Sequence, residues 1–271
     1  MKNQVLVAVV ALVTLAAVPA VAELTRRPVL TTHPRKTLHL YVNDGEWELA
    51  DGTKTYIVSY VAYNDKFEVA PEGAQLPKPQ IPAPTIRVKE GDDVTVYLHN
   101  SGHHHLDPSS AFSNVTHTIH FHGMDVVAVY DGVPGVPTEG LPEKLLAGVP
   151  VGETYEYRFI AKHEGTFMYH CHVDTSTHAL LGMFGAFIVE GKEPSTIYGR
   201  KYDREYTLFF SEMDTEHNDA IRDVGEYDMS KFKTNYFLVN GRIFTSDLTN
   251  KLSTVADPRS LIKGKEGETI L

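Results

Sequence analysis

The stretch PTIRVKEGDDVTVYLHN at residues 84–100 decides the fold, because its apolar side chains occupy every second position. The alternating apolar residues are Ile86, Val88, Val94, Val96 and Leu98. Alternate residues of a strand point to the same face of a sheet. The stretch therefore predicts β-structure with these side chains on one face of a sheet.

Similar strand patterns recur along the chain. They occupy residues 56–63, 153–160, 165–170 and 183–190, and after a boundary near 191–203 they resume at 206–214 and 234–244. The segments between them are rich in Gly and Pro, and no long amphipathic helix pattern is present. Many short strands with turn-rich connections predict an all-β fold, a Greek-key β-sandwich or barrel.

The composition excludes several classes of protein. The chain has 271 residues, is 42% hydrophobic and has a formal net charge of -10. These values are typical of a globular protein and exclude a disordered, collagen-like or disulfide-dense chain. No cluster of Lys and Arg stands out, so a nucleic-acid partner is not expected.

The N-terminal residues 1–22 have the pattern of a signal peptide. Lys2 precedes the apolar run Val5–Val18, and Ala20-Val21-Ala22 forms a small-residue cleavage site. An uncleaved membrane anchor is the alternative, but a span needs about 20 apolar residues. The chain is therefore predicted to be exported, to the periplasm or outside the cell, with no membrane partner. Its single cysteine, Cys171, cannot form an internal disulfide and must be buried, reactive or metal-bound.

Two histidine-rich segments carry the chemistry: HTIHFHG at residues 117–123 and HCHVDTSTHALLGM at 170–183. If both are strands at their centres, strand alternation sorts the side chains into two sets. One set is His117 and Cys171, joined by His178 and Met183 from the following loop. The other set is the four imidazoles of His120, His122, His170 and His172.

The two sets suit different metal sites. Two imidazoles, a thiolate and a thioether are the ligands of blue-copper electron-transfer sites, and the thioether favours copper over zinc. An all-imidazole set suits copper or zinc. Because Cys171 is bonded to both His170 and His172, the backbone gives a short covalent path between the two sites.

These segments resemble the HxxHxHG and HCHxxxHxxxGM motifs of multicopper oxidases, and DGVPGVP at 131–137 is also familiar from that family. The resemblance covers most of residues 35–190. It implies a cupredoxin fold with type 1 copper held by His117, Cys171, His178 and Met183. It further implies type 2 copper at His120 and type 3 copper at His122, His170 and His172. Single electrons from a reductant would enter at type 1 copper, and O₂ would be reduced to water at the trinuclear site.

Two departures from the family pattern stand out. Cys171 and His178 are seven positions apart, two more than in the motif, which is expected to change access to the type 1 site more than its ligands. The family's trinuclear cluster also takes about twice the four histidines offered here, drawn from two cupredoxin domains.

The domain prediction follows from that shortage of histidines. Residues 23–192 are predicted to be a cupredoxin domain with type 1 copper and half of a trinuclear site. Residues 203–271 are predicted to be an incomplete second cupredoxin domain, since residues 265–270 loosely repeat 89–94. Related two-domain enzymes imply a homotrimer for the full-length form.

Other functions and roles stay open at this point. A copper nitrite reductase is related, although His120 and His172 count against it, and a non-enzymatic blue-copper electron carrier needs only the first set. The electron donor, a small molecule or a protein, is not specified. His103, His104 and His105 are expected in a solvated loop, with copper loading as the alternative. Asp125 and Asp174 are either surface carboxylates or partners of ligand histidines.

Overall fold

A computed structural model describes residues 34–243, apart from 108, 137–141 and 195. This part of the chain is mostly β-structure, with two α-helices. The strands are β1 (Arg35–Glu48), β2 (Lys54–Val61), β3 (Ala83–Lys89), β4 (Asp93–His99), β5 (His120–His122), β6 (Thr154–Ile160), β7 (Gly165–His170), β8 (Phe184–Glu190), β9 (Thr196–Ile197), β10 (Arg200–Lys201), β11 (Phe210–Met213), β12 (Tyr236–Val239) and β13 (Arg242–Ile243). The helices are α1 (Thr175–Leu181) and α2 (Thr215–Val224).

Two four-stranded sheets form a sandwich. Their strand orders are β2-β1-β4-β6 and β3-β8-β7-β5. The pairs β1·β4 and β3·β8 are parallel and the other neighbours are antiparallel. The alternating stretch at 84–100 forms two strands, β3 and β4, one in each sheet, so this stretch joins the two layers.

The core lies between the sheets and contains the alternating apolar side chains of residues 84–100. Val94, Val96 and Leu98 of β4 are fully buried, as is Ile86 of β3. Phe121, from the histidine-rich strand β5, packs against aromatic rings from both sheets, Phe159 at 4.7 Å and Phe187 at 5.8 Å between ring centroids. Fully burying such a side chain stabilises the fold by roughly 1.5–3 kcal/mol.

A third sheet, β11-β12-β13, follows the sandwich strands in the chain. Met213 and Leu238 from this sheet share a second apolar cluster with Ile57, Ile81 and Phe184 of the sandwich segment. The predicted division into domains at 192 and 203 stays a prediction.

The strand predicted at 206–214 is shorter than expected, because only Phe210–Met213 pairs with a neighbour. Just before this strand, the side chain of Asn240 makes the hydrogen bonds that a neighbouring strand would otherwise make with the backbone. Its Oδ1 accepts from the Phe209 amide at 2.8 Å and its Nδ2 donates to the Thr207 carbonyl at 2.9 Å. The segment predicted at 234–244 is a hairpin of β12 and β13, with Asn240 and Gly241 in left-handed backbone at the turn.

Several expectations lie outside the described residues: the signal peptide at 1–22, the repeat at 265–270 and the part of the second domain from residue 244 onward. Within the described part of the chain, no helix has the length and apolarity that crossing a membrane requires.

Candidate metal centres

The first candidate centre, the sulfur site, is defined by His117, Cys171 and His178. The Sγ of Cys171 lies 3.1 Å from His178 Nδ1 and 3.7 Å from His117 Nδ1. All three candidate ligand atoms lie within 4.8 Å of one another. Two imidazole nitrogens thus converge on one sulfur, a donor set that suits a blue-copper centre.

The sulfur site is closed to water, since its three side chains are at most 1% exposed. Burial therefore lowers the pKa of His178 to about 4 and also lowers that of His117, and it raises the pKa of the Cys171 thiol to about 11. Neutral imidazole is the form that binds metal. The buried thiol needs a cation nearby to lose its proton, and a bound metal ion is such a cation. The donor set and its burial therefore fit copper.

Met183 is held next to the sulfur site by backbone hydrogen bonds. Its amide donates to the His178 carbonyl and its carbonyl accepts from the Cys171 amide, both at 3.1 Å, and its side chain is fully buried. His178 was expected in a loop, but the structure has it on helix α1. Gly182 ends this helix in left-handed backbone, with its amide on the Ala179 carbonyl at 3.0 Å. The longer spacing between Cys171 and His178 thus accommodates the first turn of helix α1, Thr175 to His178.

The expectation that His103 lies in a solvated loop is wrong. Its imidazole is only 9% exposed and stacks on Phe112 with 5.1 Å between ring centroids. Its Nε2 lies 3.0 Å from His117 Nε2, so it contacts the sulfur site directly. Burial lowers its pKa. His104 and His105 are exposed, as expected. A triplet of adjacent histidines gives no signal that separates one buried member from the other two.

The second candidate centre, the histidine cluster, is defined by His120, His122, His170 and His172. Strand pairing builds it, because antiparallel β5 and β7 place His120 opposite His170. The candidate ligand atoms of His120, His122 and His170 lie within 4.8 Å of one another. The ring of His172 lies edge-on to His120 with 5.1 Å between centroids, and its amide donates to Thr118 Oγ1 at 3.1 Å. The structure therefore forms two separate groups of side chains, and they correspond to the two sets predicted from strand alternation.

Hydrogen bonds fix which ring nitrogen two of these histidines offer. His120 Nδ1 lies 2.8 Å from the Asp131 carbonyl and 3.1 Å from its Oδ1, and His170 Nδ1 lies 2.9 Å from the Cys171 carbonyl. A carbonyl only accepts, so both Nδ1 atoms carry the proton and both Nε2 atoms keep a lone pair for a metal. The Nε2 of His170 lies 3.3 Å from His122 Nδ1. Burial and the neighbouring imidazoles lower the pKa of His170, which keeps it neutral.

Asp131 is the partner residue that sequence reasoning missed, although it begins the DGVPGVP segment. Gly132 follows in left-handed backbone at φ 69°, where an added Cβ would collide with the Ile119 carbonyl. The Asp-Gly pair therefore packs directly on the backbone that carries His120. Asp125 and Asp174 differ in their relation to the ligand histidines. Burial lowers the pKa of His178, and the nearby Asp174 opposes this by raising it, while the Asp174 carbonyl accepts from the His178 amide at 3.0 Å. Asp125 is exposed and pairs with Lys162 at 2.5 Å, and Asp174 precedes helix α1 in left-handed backbone.

The histidine cluster is open on one side. His122 is exposed and lines a groove of about 890 Å³, whose walls are mainly apolar. Phe167, Met168, Phe209 and Phe210 contribute to these walls. The sulfur site is therefore sealed, whereas the histidine cluster adjoins a wide surface groove.

Together, the two-sheet sandwich and the paired metal-binding groups define a cupredoxin β-sandwich of the copper-protein type. The family model described as multicopper oxidase matches residues 73–194, so this part of the chain is a multicopper oxidase domain. Copper is accordingly the metal that these residues are built to hold.

Similar proteins support the same class. Copper resistance protein A of Escherichia coli is 29% identical over 196 residues, which make up 70% of this chain and 28% of that protein. The blue copper oxidase from Nitrosomonas europaea is 27% identical with a TM-score of 0.56, over 77% of this chain and 54% of that one. The copper nitrite reductase from the same organism is 24% identical with a TM-score of 0.55, over 82% of this chain and 62% of that one, a likeness of fold alone. The chain thus spans less than a third of the copper resistance protein.

Proposed function

We propose that this chain carries the electron-accepting domain of an exported multicopper oxidase. Type 1 copper is held by His117, Cys171, His178 and Met183. The type 2 site takes His120, and the type 3 sites take His122, His170 and His172. Copper at these sites supplies one-electron oxidation of a reductant and reduction of O₂ to water. The signal-peptide pattern at 1–22 supports export to the periplasm or beyond the cell.

The observation that carries this proposal is the His170-Cys171-His172 sequence between the two centres. The sulfur of Cys171 belongs to the sulfur site, and the rings of both neighbours belong to the histidine cluster. A few covalent bonds therefore separate the two groups of ligands. An electron carrier with one copper has no use for the second group, and the imidazoles at 120 and 172 argue against a nitrite reductase.

The burial of the sulfur site supports donors that act at a distance. His178 is 1% exposed, and Phe112 packs edge-on against its ring with 5.4 Å between centroids. A phenolic or protein donor therefore delivers electrons through these covering side chains without touching His178. The seal keeps water and small ligands away from the thiolate.

The open side of the histidine cluster suits completion by a second cupredoxin domain. Four imidazoles are about half of what the cluster takes in this family, so the others come from outside this group. The apolar groove beside His122, which residues 196–210 help to line, is the surface that the remainder of such a domain would cover. In the full-length protein we propose a homotrimer in which the clusters are shared between subunits.

The test is copper loading of the chain, with Cys171→Ser as the variant and Ser176→Ala, at an exposed position on the next helix, as the control. The chain is expected to show an intense thiolate-to-copper absorption band and to bind copper beyond a single ion. Cys171→Ser should abolish the band and leave the copper of the histidine cluster. Oxygen uptake supports an oxidase, and nitrite turnover would indicate a reductase. An intense band with only about one copper per chain would indicate an electron carrier and contradict the proposed oxidase.

A further inference from the structure

A relay of hydrogen bonds runs from the loop at residues 103–112 into the sulfur site. His103 Nδ1 lies 2.8 Å from the Phe112 carbonyl oxygen, and His103 Nε2 lies 3.0 Å from His117 Nε2. The other ring nitrogen of His117, Nδ1, faces the Cys171 sulfur. His103 and His117 are both buried.

The partners in this relay determine where its protons lie. The Phe112 carbonyl can only accept, so the proton of a neutral His103 lies on Nδ1 and its Nε2 is an acceptor. His117 must then carry its own proton on Nε2 and donate it to His103. This leaves the Nδ1 lone pair of His117 free and aimed at the sulfur site, which is the tautomer that binds metal there.

We propose that His103 is a positioning residue for the sulfur site: it selects the metal-binding tautomer of His117 and makes that imidazole a stronger donor to copper. This inference rests on the proposed function, since it takes His117 as a copper ligand. Accepting a hydrogen bond from one ring nitrogen raises the basicity of the other. A neutral acceptor does so without adding a negative charge to a buried site.

A purely structural role for His103 makes a different prediction. If the residue only filled space beneath Phe112, an aromatic ring of similar shape would serve equally well. The distinguishing property is the acceptor nitrogen. Loss of such a partner weakens metal binding by roughly 10- to 100-fold.

The experiment compares His103→Phe with His103→Gln and with His104→Phe, an exposed neighbour that serves as control. His103→Phe keeps a ring for the stack on Phe112 but removes the acceptor, and His103→Gln restores one. Each variant of the chain is titrated with Cu(II) against a competing chelator. The absorption band, the EPR spectrum and the reduction potential of the bound copper are then recorded. The unfolding temperature of the metal-free proteins shows whether each variant folds.

His103→Phe is expected to bind Cu(II) roughly 10- to 100-fold more weakly than the parent chain. If Cu(I) affinity is unchanged, the reduction potential rises by about 60–120 mV, at about 59 mV for each tenfold. His103→Gln should recover most of the affinity, and His104→Phe should match the parent.

The outcomes separate this inference from the proposed function. A parent chain that gives no thiolate-to-copper band overturns both. A parent band together with unchanged affinity, spectrum and potential in a folded His103→Phe overturns the role of His103 and leaves the proposed function standing. A lower unfolding temperature with an unchanged potential of the bound copper would show a structural role only, and would also overturn it.

Discussion

The Asp-Gly turn that holds His120 can be tested with a pair of glycine substitutions. Gly132 and Gly135 lie three residues apart in left-handed backbone, at φ 69° and 75°. An alanine Cβ at position 132 would lie 2.5 Å from the Ile119 carbonyl carbon and 3.1 Å from the His120 amide nitrogen. At position 135 it would meet nothing within 4 Å. The two variants therefore share the backbone strain and differ in the collision.

The expected costs follow from these two contributions. Left-handed backbone costs an alanine roughly 1–2 kcal/mol, which is the whole effect expected for Gly135→Ala. Crowding of atoms that cannot rotate away adds about 1–3 kcal/mol for Gly132→Ala. A domain of this size loses about 2–4 °C of unfolding temperature per kcal/mol. Gly132→Ala should therefore unfold about 2–12 °C below Gly135→Ala.

The assay is thermal unfolding of the two metal-free variants, followed by copper titration. Because the collision falls on the backbone of Ile119 and His120, Gly132→Ala should also load less copper in the histidine cluster while keeping the thiolate band of the sulfur site. Gly135→Ala should keep both. Equal unfolding temperatures and equal loading in the two variants would refute the idea that this turn positions His120.

Three further outcomes are expected. Phe121→Ala should lower the free energy of unfolding by about 3–5 kcal/mol, because this side chain is fully buried. Phe237→Ala should change it by less than about 0.5 kcal/mol, because that side chain is 59% exposed. Similar losses in the two variants would contradict the described core. The pKa of His178 is about 4 in the folded metal-free chain and 6.5 ordinarily, so the unfolded chain binds more protons between these values. His178 should therefore contribute a loss of up to about 3 kcal/mol as the pH drops from 6.5 to 4 in denaturant titrations, in addition to the losses from the other buried histidines, and His178→Gln should lose that much less stability than the parent chain. In a chelator competition, Asp131→Asn should weaken copper binding to the histidine cluster by up to about tenfold. The loss should stay small because the Asp131 backbone carbonyl still holds His120. Asp125→Asn should leave copper binding unchanged in the same assay.

The fold could be predicted from the sequence where residues alternate strongly. The strands predicted at 165–170 and 153–160 match β7 and β6 to within one residue, because alternation and turn residues are local signals. The strand around Phe210 was predicted too long, because a side chain from a distant turn replaces part of its hydrogen bonding. No local pattern contains that information.

The candidate site divides in the same way. The grouping of His170 with His120 follows from the two-residue period of strands and is visible in the sequence. The same period predicts the grouping of Cys171 with His117, although both residues lie just outside β7 and β5. The motif spacing predicts a loop between Cys171 and Met183, so the helix that carries His178 is visible only in the structure. The contact of His103 with His117 was missed because it joins a loop to a strand through packing alone.

The sequence by itself determined the identity of the donor atoms and, for the histidines that lie in strands, the face on which each side chain lies, since side chains alternate along extended backbone. The tertiary structure alone decided which ring nitrogen each histidine offers, which carboxylate supports His120 and how deeply the sulfur is buried. Those properties depend on hydrogen-bond partners and desolvation, and both are supplied by segments far apart in the chain.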